Sequence, residues 1–196
     1  MGKLTVSFRC HHCGHCCTEV ICFPTPGDVV RIVRATRIDP LDFLEFIGPD
    51  DIADVPKSDP TWLDVDGQRF LMALRRGKGG CFFRDPAKKH CVVYEQRPLL
   101  CRLFPFKLHE TKQGEYKAFS LHKDVECPRR RDGEVPTAPL YELWKEDCEH
   151  QLDYNDLVAV FNRQQYPGKK PEDFVEMFVQ VNRKPTRKAA GRKRGN

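Results

Sequence analysis

Residues 8–17 read FRCHHCGHCC and carry four thiols, Cys10, Cys13, Cys16 and Cys17. Clustered thiols bind metals, exchange disulfides or carry redox equivalents. The C10-x2-C13-x2-C16 spacing favours metal. Two intervening residues let successive thiolates turn inward on one small loop, whose amides can hydrogen-bond the sulfurs, and Gly14 relaxes the turn. Clusters of the [4Fe–4S] type use this spacing with a further cysteine from elsewhere, often followed by proline. Cys127-Pro128 has that form. Cys16 and Cys17 are adjacent, and neighbouring side chains often point apart, so the two can serve different centres.

Six further cysteines stand at 22, 81, 91, 101, 127 and 148. Cys81, Cys91 and Cys101 each border a turn or short element. The candidate ligand set is Cys10, Cys13, Cys16, Cys17, Cys81, Cys91, Cys101 and Cys127. Eight thiolates suffice for one cluster with spares, two clusters, or two tetrahedral zinc sites. A thiolate centre is anionic, and Arg97 and Arg102, on either side of Cys101, are placed to offset its charge. Cys148 lies on an apolar helical stripe and reads as core; Cys22 reads as packed. His11, His12, His15 and His90 suit zinc, but four thiols crowd the same region and the histidines read as exposed neighbours. A thioredoxin-like Cys10/Cys13 couple expects a βαβ context that the pattern lacks. In YEQRP, Tyr94 is expected to pack and Glu95 to pair with an arginine.

The cysteines must be interpreted by compartment. The opening MGKLTVSFRC lacks an apolar signal-peptide region, and Val6 stands where a myristoylation site needs Ser or Thr. No apolar run approaches a membrane span. A cytosolic setting is expected, in which thiols stay reduced and clustered cysteines serve metal or redox chemistry. At 196 residues the chain can build a core without disulfide staples. The formal charge of +5 is a property of one end. From Arg183 onward there are seven basic residues and no acid, which leaves −2 for the first 182 residues.

The elements that must position these groups are legible in part. PGDVVRIVRATRID has the period of a helix, with Val29, Ile32 and Val33 on one side. IDPLDFLEFIG predicts a second short helix, capped by Asp39, begun by Pro40 and ended by Gly48. Residues 49–60 read as a surface loop. WLDVDGQRFLMAL predicts a hairpin across Asp66-Gly67. Phe82–Phe83 and Val92–Tyr94 read as short strand-like pieces, and a helical turn is expected after Pro98, ending at Phe104-Pro105. Residues 107–121 predict a hairpin around Gly114. From Thr137, Leu140, Leu143, Trp144, Cys148 and Leu152 recur at helical spacing. Leu157, Val160 and Phe161 continue that helix or begin another, and KPEDFVEMFVQVNR predicts a last one.

The order F-x-C-x2-C-G-x-C-C, then C, then C-x2-Y-E-x-R-P-x2-C-R-x-F-P, then C, resembles the CxxCxxCC or YkgJ-like family of zinc- or iron-chelating cysteine-cluster domains. The matching blocks are FRCHHCGHCC at 8–17, CFF at 81–83 and CVVYEQRPLLCRLFPF at 91–106, with ECP at 126–128 matching more loosely. The segment GDVVRIVRATRIDPLDFLEFI is also similar. The resemblance implies metal held by the thiols. A related module accompanies an iron–sulfur cluster in flagellin lysine N-methylases, but no methyl-donor motif is recognised here and that activity is not carried over.

The expected fold is α+β: small antiparallel hairpins with flanking helices, organised around a cysteine-ligated metal centre. One domain is expected over 1–182, with a family-like core at 8–128 and a helical extension at 137–182, followed by a disordered basic tail at 183–196. The expected function is cytosolic metal binding, foremost an iron–sulfur cluster of [4Fe–4S] type, for electron transfer or cofactor support. The alternatives are a structural zinc adaptor and an iron–sulfur enzyme modifying protein or nucleic acid. A redox protein is one expected partner. Nucleic acid or an acidic protein is another, through Arg183, Lys184, Arg187, Lys188, Arg192, Lys193 and Arg194. No membrane partner is expected.

Overall fold

In the computed structural model, which describes residues 4–52, 55–122 and 130–179, the chain enters as strand β1 (Thr5–Arg9). A short helix, α1 (His15–Glu19), follows Gly14, whose φ of 70° opens the turn. Helix α2 (Pro26–Thr36) begins at Thr25. The Thr25 hydroxyl accepts the Asp28 amide and the Asp28 carboxylate accepts the Thr25 amide, which satisfies two otherwise free donors. Val29 and Ile32 are buried, as their spacing predicts.

The second predicted helix is cut to one turn, α3 (Pro40–Phe43), with Asp39 as its cap. Leu44–Ile47 form strand β2 instead, because they pair antiparallel with Leu71–Leu74. Cross-strand packing there outweighs the local start signal. Asp66 and Gly67, with φ of 52° and 79°, join β3 (Leu63–Val65) to β4 (Gln68–Leu74) as expected. Strand β4 is central in the order β2-β4-β3.

Two very short strands follow, β5 (Arg76–Gly77) and β6 (Gly80–Cys81). Phe82–Phe83 and Val92–Tyr94 are not strands. One bridge joins Arg84 to Cys91, and residues 94–96 form a 3-10 turn. The Asp85 carboxylate accepts the amides of Ala87 and Lys88, closing this loop too tightly for a longer ladder. Helix α4 (Leu99–Leu103) comes after Pro98 and gives way to a cis Phe104-Pro105 bond. Strands β7 (Phe106–Glu110) and β8 (Tyr116–Leu121) make the expected hairpin around Gly114.

Strand β9 (Arg130–Pro136) was not legible in the sequence. It returns to pair antiparallel with β1. Helix α5 (Thr137–Arg163) is continuous, so Leu157, Val160 and Phe161 belong to the helix that starts at Thr137. Its buried side runs through Leu140, Tyr154, Val158 and Phe161. The predicted stripe therefore drifts off the core: Cys148 is only half-buried and Leu152 is 66% exposed. The last predicted helix is a single turn in the described residues, α6 (Asp173–Glu176). Before it, the buried Lys169 donates to the carbonyls of Asp64, Phe161 and Gln164, which ends α5 and ties it to β3.

The main core lies among α2, the β2-β4-β3 sheet, α5 and α6. The architecture is α+β with small antiparallel sheets. Among the described residues no helix is long and apolar enough to cross a membrane.

Candidate metal centre

The loop leaving β1 carries the exposed Cys10 and Cys13, and α1 carries the exposed Cys16 and the half-buried Cys17. Two close backbone approaches fix this segment. Gly14 lies against Lys89, and a Cβ at Gly14 would collide with the Lys89 carbonyl. Gly80, at φ 100°, lies so close to Cys17 that a Cβ there would collide with the Cys17 carbonyl. Arg76 closes the far end of α1. Its guanidinium donates to Val20 O at 2.6 Å, to Cys17 O at 3.4 Å and to Thr18 O, satisfying carbonyls that a helix end leaves free.

The other thiols come from separate elements. Cys81 is on β6, Cys91 bridges to Arg84, and Cys101 is in α4. The start of α4 is tied to α2. Asp28 Oδ1 accepts the Leu99 amide at 3.1 Å and Arg31 Nη2 at 2.5 Å, and the same Nη2 donates to Arg97 O at 3.0 Å. Cys101 Sγ stands 3.4 Å from Cys22 Sγ. Cys22 is buried, as expected, but it is also part of the wall that the other thiols line.

Cys10, Cys13, Cys16 and Cys17 share one cavity of about 650 Å³ with Cys22, Cys81, Cys91 and Cys101. Cys148 is not on it. Arg97 and Arg102 both are. The Arg97 guanidinium lies 3.7 Å from the centre of the Tyr94 ring, and its Nε is buried without a hydrogen-bond partner. Arg102 donates to Arg97 O and Glu95 O. Glu95 therefore meets an arginine through its backbone carbonyl rather than through the expected carboxylate pairing. His12 and His90 also line the cavity, His12 tilted against Tyr94 at 4.7 Å. His11 lies 4.0 Å from Asp132, and the His15 Nε2 atom is buried without a partner. Cys127 and the basic residues from Arg183 to Arg194 lie outside the described residues.

At Cys16, Cys22, Cys81 and Cys91 the electrostatics favour the neutral thiol. The hydrogen bond with Cys17 raises the Cys16 thiol above the ordinary thiol range. The bond with Cys101, followed by burial, raises Cys22 well above the ordinary thiol range. Burial pushes Cys81 up to about 11 and also raises Cys91; the positive charges of Arg76 and Arg97 oppose these two shifts. A divalent cation among the sulfurs reverses this preference, because it stabilises the thiolates directly.

The donor set fits a soft metal or a cluster: many thiols, few competing oxygens and guanidinium groups nearby. The thiols ring the cavity rather than converge. Among the described residues no three His, Cys, Asp or Glu side chains adopt the spacing of a closed metal site. Four positioning residues were missed in the sequence: Asp28, Arg31, Arg76 and Gly80. Nothing in the sequence linked Asp28 to Leu99.

A model of the CxxCxxCC family, described as "Putative zinc- or iron-chelating domain", matches residues 9–128. No curated protein and no solved structure gives a significant match. Strand β9 and helix α5 lie beyond the matched range, yet Val135 and Leu140 from them line the thiol cavity.

Proposed function

Because this chain belongs to the CxxCxxCC family, we propose that it is a thiolate metalloprotein whose opening loop holds an iron–sulfur cluster of [4Fe–4S] type. The supporting observation is the single cavity shared by thiols from separate elements of the chain. Cys10, Cys13, Cys16 and Cys17 are the nearest candidate ligands, with Cys81, Cys91 and Cys101 on the opposite wall and Cys127 a further candidate. When bound, such a cluster supplies one-electron redox chemistry.

The chain's own residues do the rest. Arg76 and Gly80 hold the loop in place, Asp28 fixes the start of α4, and Arg97 and Arg102 offset thiolate charge. Phe8, Leu103 and Phe106 give the cavity an apolar wall that limits water. The role that follows is cytosolic electron transfer with a protein partner, or support of a cofactor. A second reading, a structural zinc clamp, is favoured by the shortness of the elements between residues 9 and 128, which a metal would hold together.

Anaerobic purification with visible absorption and iron, zinc and sulfide analysis separates the two. Iron, acid-labile sulfide and broad visible charge-transfer absorption are expected, all diminished by Cys10→Ser. A colourless protein with stoichiometric zinc and no sulfide overturns the cluster and supports the clamp.

A further inference from the structure

Residues 75–90 carry six basic side chains, Arg75, Arg76, Lys78, Arg84, Lys88 and Lys89, against one acid, Asp85. The first 182 residues are net −2, so this positive stretch stands on a body of opposite sign. Arg75, Lys78, Lys88 and Lys89 are exposed. Among the described residues the ion pairs join other partners, and none of the six is paired with a carboxylate. The Asp85 carboxylate is occupied by the amides of Ala87 and Lys88. Gly14 lies against both the Lys89 backbone and Arg84 Nε. The loop closed by the Asp85 amide on His90 O at 2.9 Å therefore keeps Lys88 and Lys89 beside Arg84.

The β5–β6 hairpin and the segment from Phe82 to Pro86 enclose a groove of about 260 Å³, lined by Arg75, Arg76, Arg84 and Phe82 and by no carboxylate. Arg84 Nη1 donates to Gly79 O at 3.0 Å and holds the two walls together, while its Nε is buried without a partner. Arg76 is occupied by the carbonyls at α1 and adds charge alone. Arg75 uses only Nη2, on Leu41 O and Leu44 O, and the rest of its planar fork remains to donate to an anion. A Cβ at Gly77 or Gly79 meets nothing within 4 Å, so another backbone can approach the hairpin closely. Phe82 leans edge-on against Phe83 at 5.1 Å and is 43% exposed. An exposed ring among free cations is the arrangement that stacks a base while phosphates are held around it.

We propose that this groove, with Lys78, Lys88 and Lys89 beside it, binds single-stranded nucleic acid. Arg75, Arg84 and the lysines hold phosphates, and Phe82 stacks a base. The strands here, β5 and β6, are two residues each, too short to enter a duplex groove and read it. An acidic protein segment would use the charges and leave the ring idle. The surface is distinct from the basic run between Arg183 and Arg194, and the proposal is independent of which metal the thiols hold.

The test titrates the full-length protein into a fluorescently labelled oligouridine strand, followed by anisotropy between about 50 and about 200 mM salt. Lys78→Gln, Lys88→Gln and Lys89→Gln together should reduce the slope of log affinity against log salt by about 2. Phe82→Leu should weaken binding about tenfold at fixed salt, because the ring is lost. The three lysines are exposed and Leu keeps an apolar contact with Phe83, so these variants preserve the fold. An unchanged slope places the binding elsewhere on the chain and overturns the proposal. A reduced slope with no effect of Phe82→Leu shows a surface that reads charge alone, as an acidic protein would use it, and also overturns the proposal. So does the absence of binding at about 50 mM salt, where phosphate contacts are strongest.

Discussion

The Asp28 carboxylate accepts the amide of Leu99, 71 residues further along the chain, at 3.1 Å. This bond joins the cap of α2 to the first turn of α4, and so places Cys101. The same carboxylate holds Arg31, and Asp28 is only 1% exposed. Asp28→Ala leaves a guanidinium and two amides without their acceptor. A loss on the order of 3 kcal/mol is expected, with less in Asp28→Asn. Urea unfolding of the metal-free protein measures the loss, and metal content should fall with it because α4 is freed.

Gly80 and Gly67 separate backbone strain from collision. Both have positive φ, but a Cβ at Gly67 meets nothing within 4 Å. Gly67→Ala should cost about 1–2 kcal/mol, the left-handed penalty alone. Gly80→Ala should cost more and reduce metal content, because the Cys17 carbonyl must move. Equal unfolding midpoints for the two variants would contradict the close approach of β6 to α1.

The thiols give the metal-free fold a limit at high pH. Cys81 is raised from 9.0 to about 11, chiefly by burial. The folded chain therefore keeps this proton while the unfolded chain loses it, and stability falls as pH rises from about 9 to about 11. Denaturant midpoints at pH 8 and pH 10.5 in the presence of a chelator should show the decline. Bound metal should remove it, since the ligands are then already deprotonated. Loading at pH 7 should release protons that an indicator dye can count.

Asp147 sets a slope at lower pH. Burial, then the charge of Asp28, raises it from 3.8 to about 6. Between those values the unfolded chain gives up the proton first, so rising pH lowers stability. Asp147→Asn should flatten the slope and stabilise the protein at pH 7 by about 1–2 kcal/mol, a shift discounted for partial exposure. Thermal unfolding at pH 4, 5, 6 and 7 measures it.

Features governed by local chemistry were legible in the sequence. Asp66-Gly67 and Gly114 turn where positive φ is tolerated, and the helical period of PGDVVRIVRATRID buries Val29 and Ile32 within one turn of each other. Leu44–Ile47 misled because the start signal at Asp39-Pro40 is local, whereas the strand they join lies near residue 72. Strand β9, with its charges, Gly133 and Pro136, carries no β pattern of its own; pairing with β1 makes it a strand. At the site, the opening loop announced itself by spacing. Cys22 is packed, as its sequence reading had it, but nothing in the sequence placed its sulfur beside Cys101.

The pairing of β1 with β9 also sets an order of events during synthesis. Thr5 lies opposite Pro136, and the Thr137 amide donates to Leu4 O at 2.9 Å. A nascent chain is made from its amino terminus, so every thiol from Cys10 to Cys101 is synthesised before the strand that frames the first loop. The thiols come early and the frame late. Assembly of the full cavity therefore waits for residues 130–140, and a ribosome paused before residue 130 holds the cysteine segments without the partner of β1.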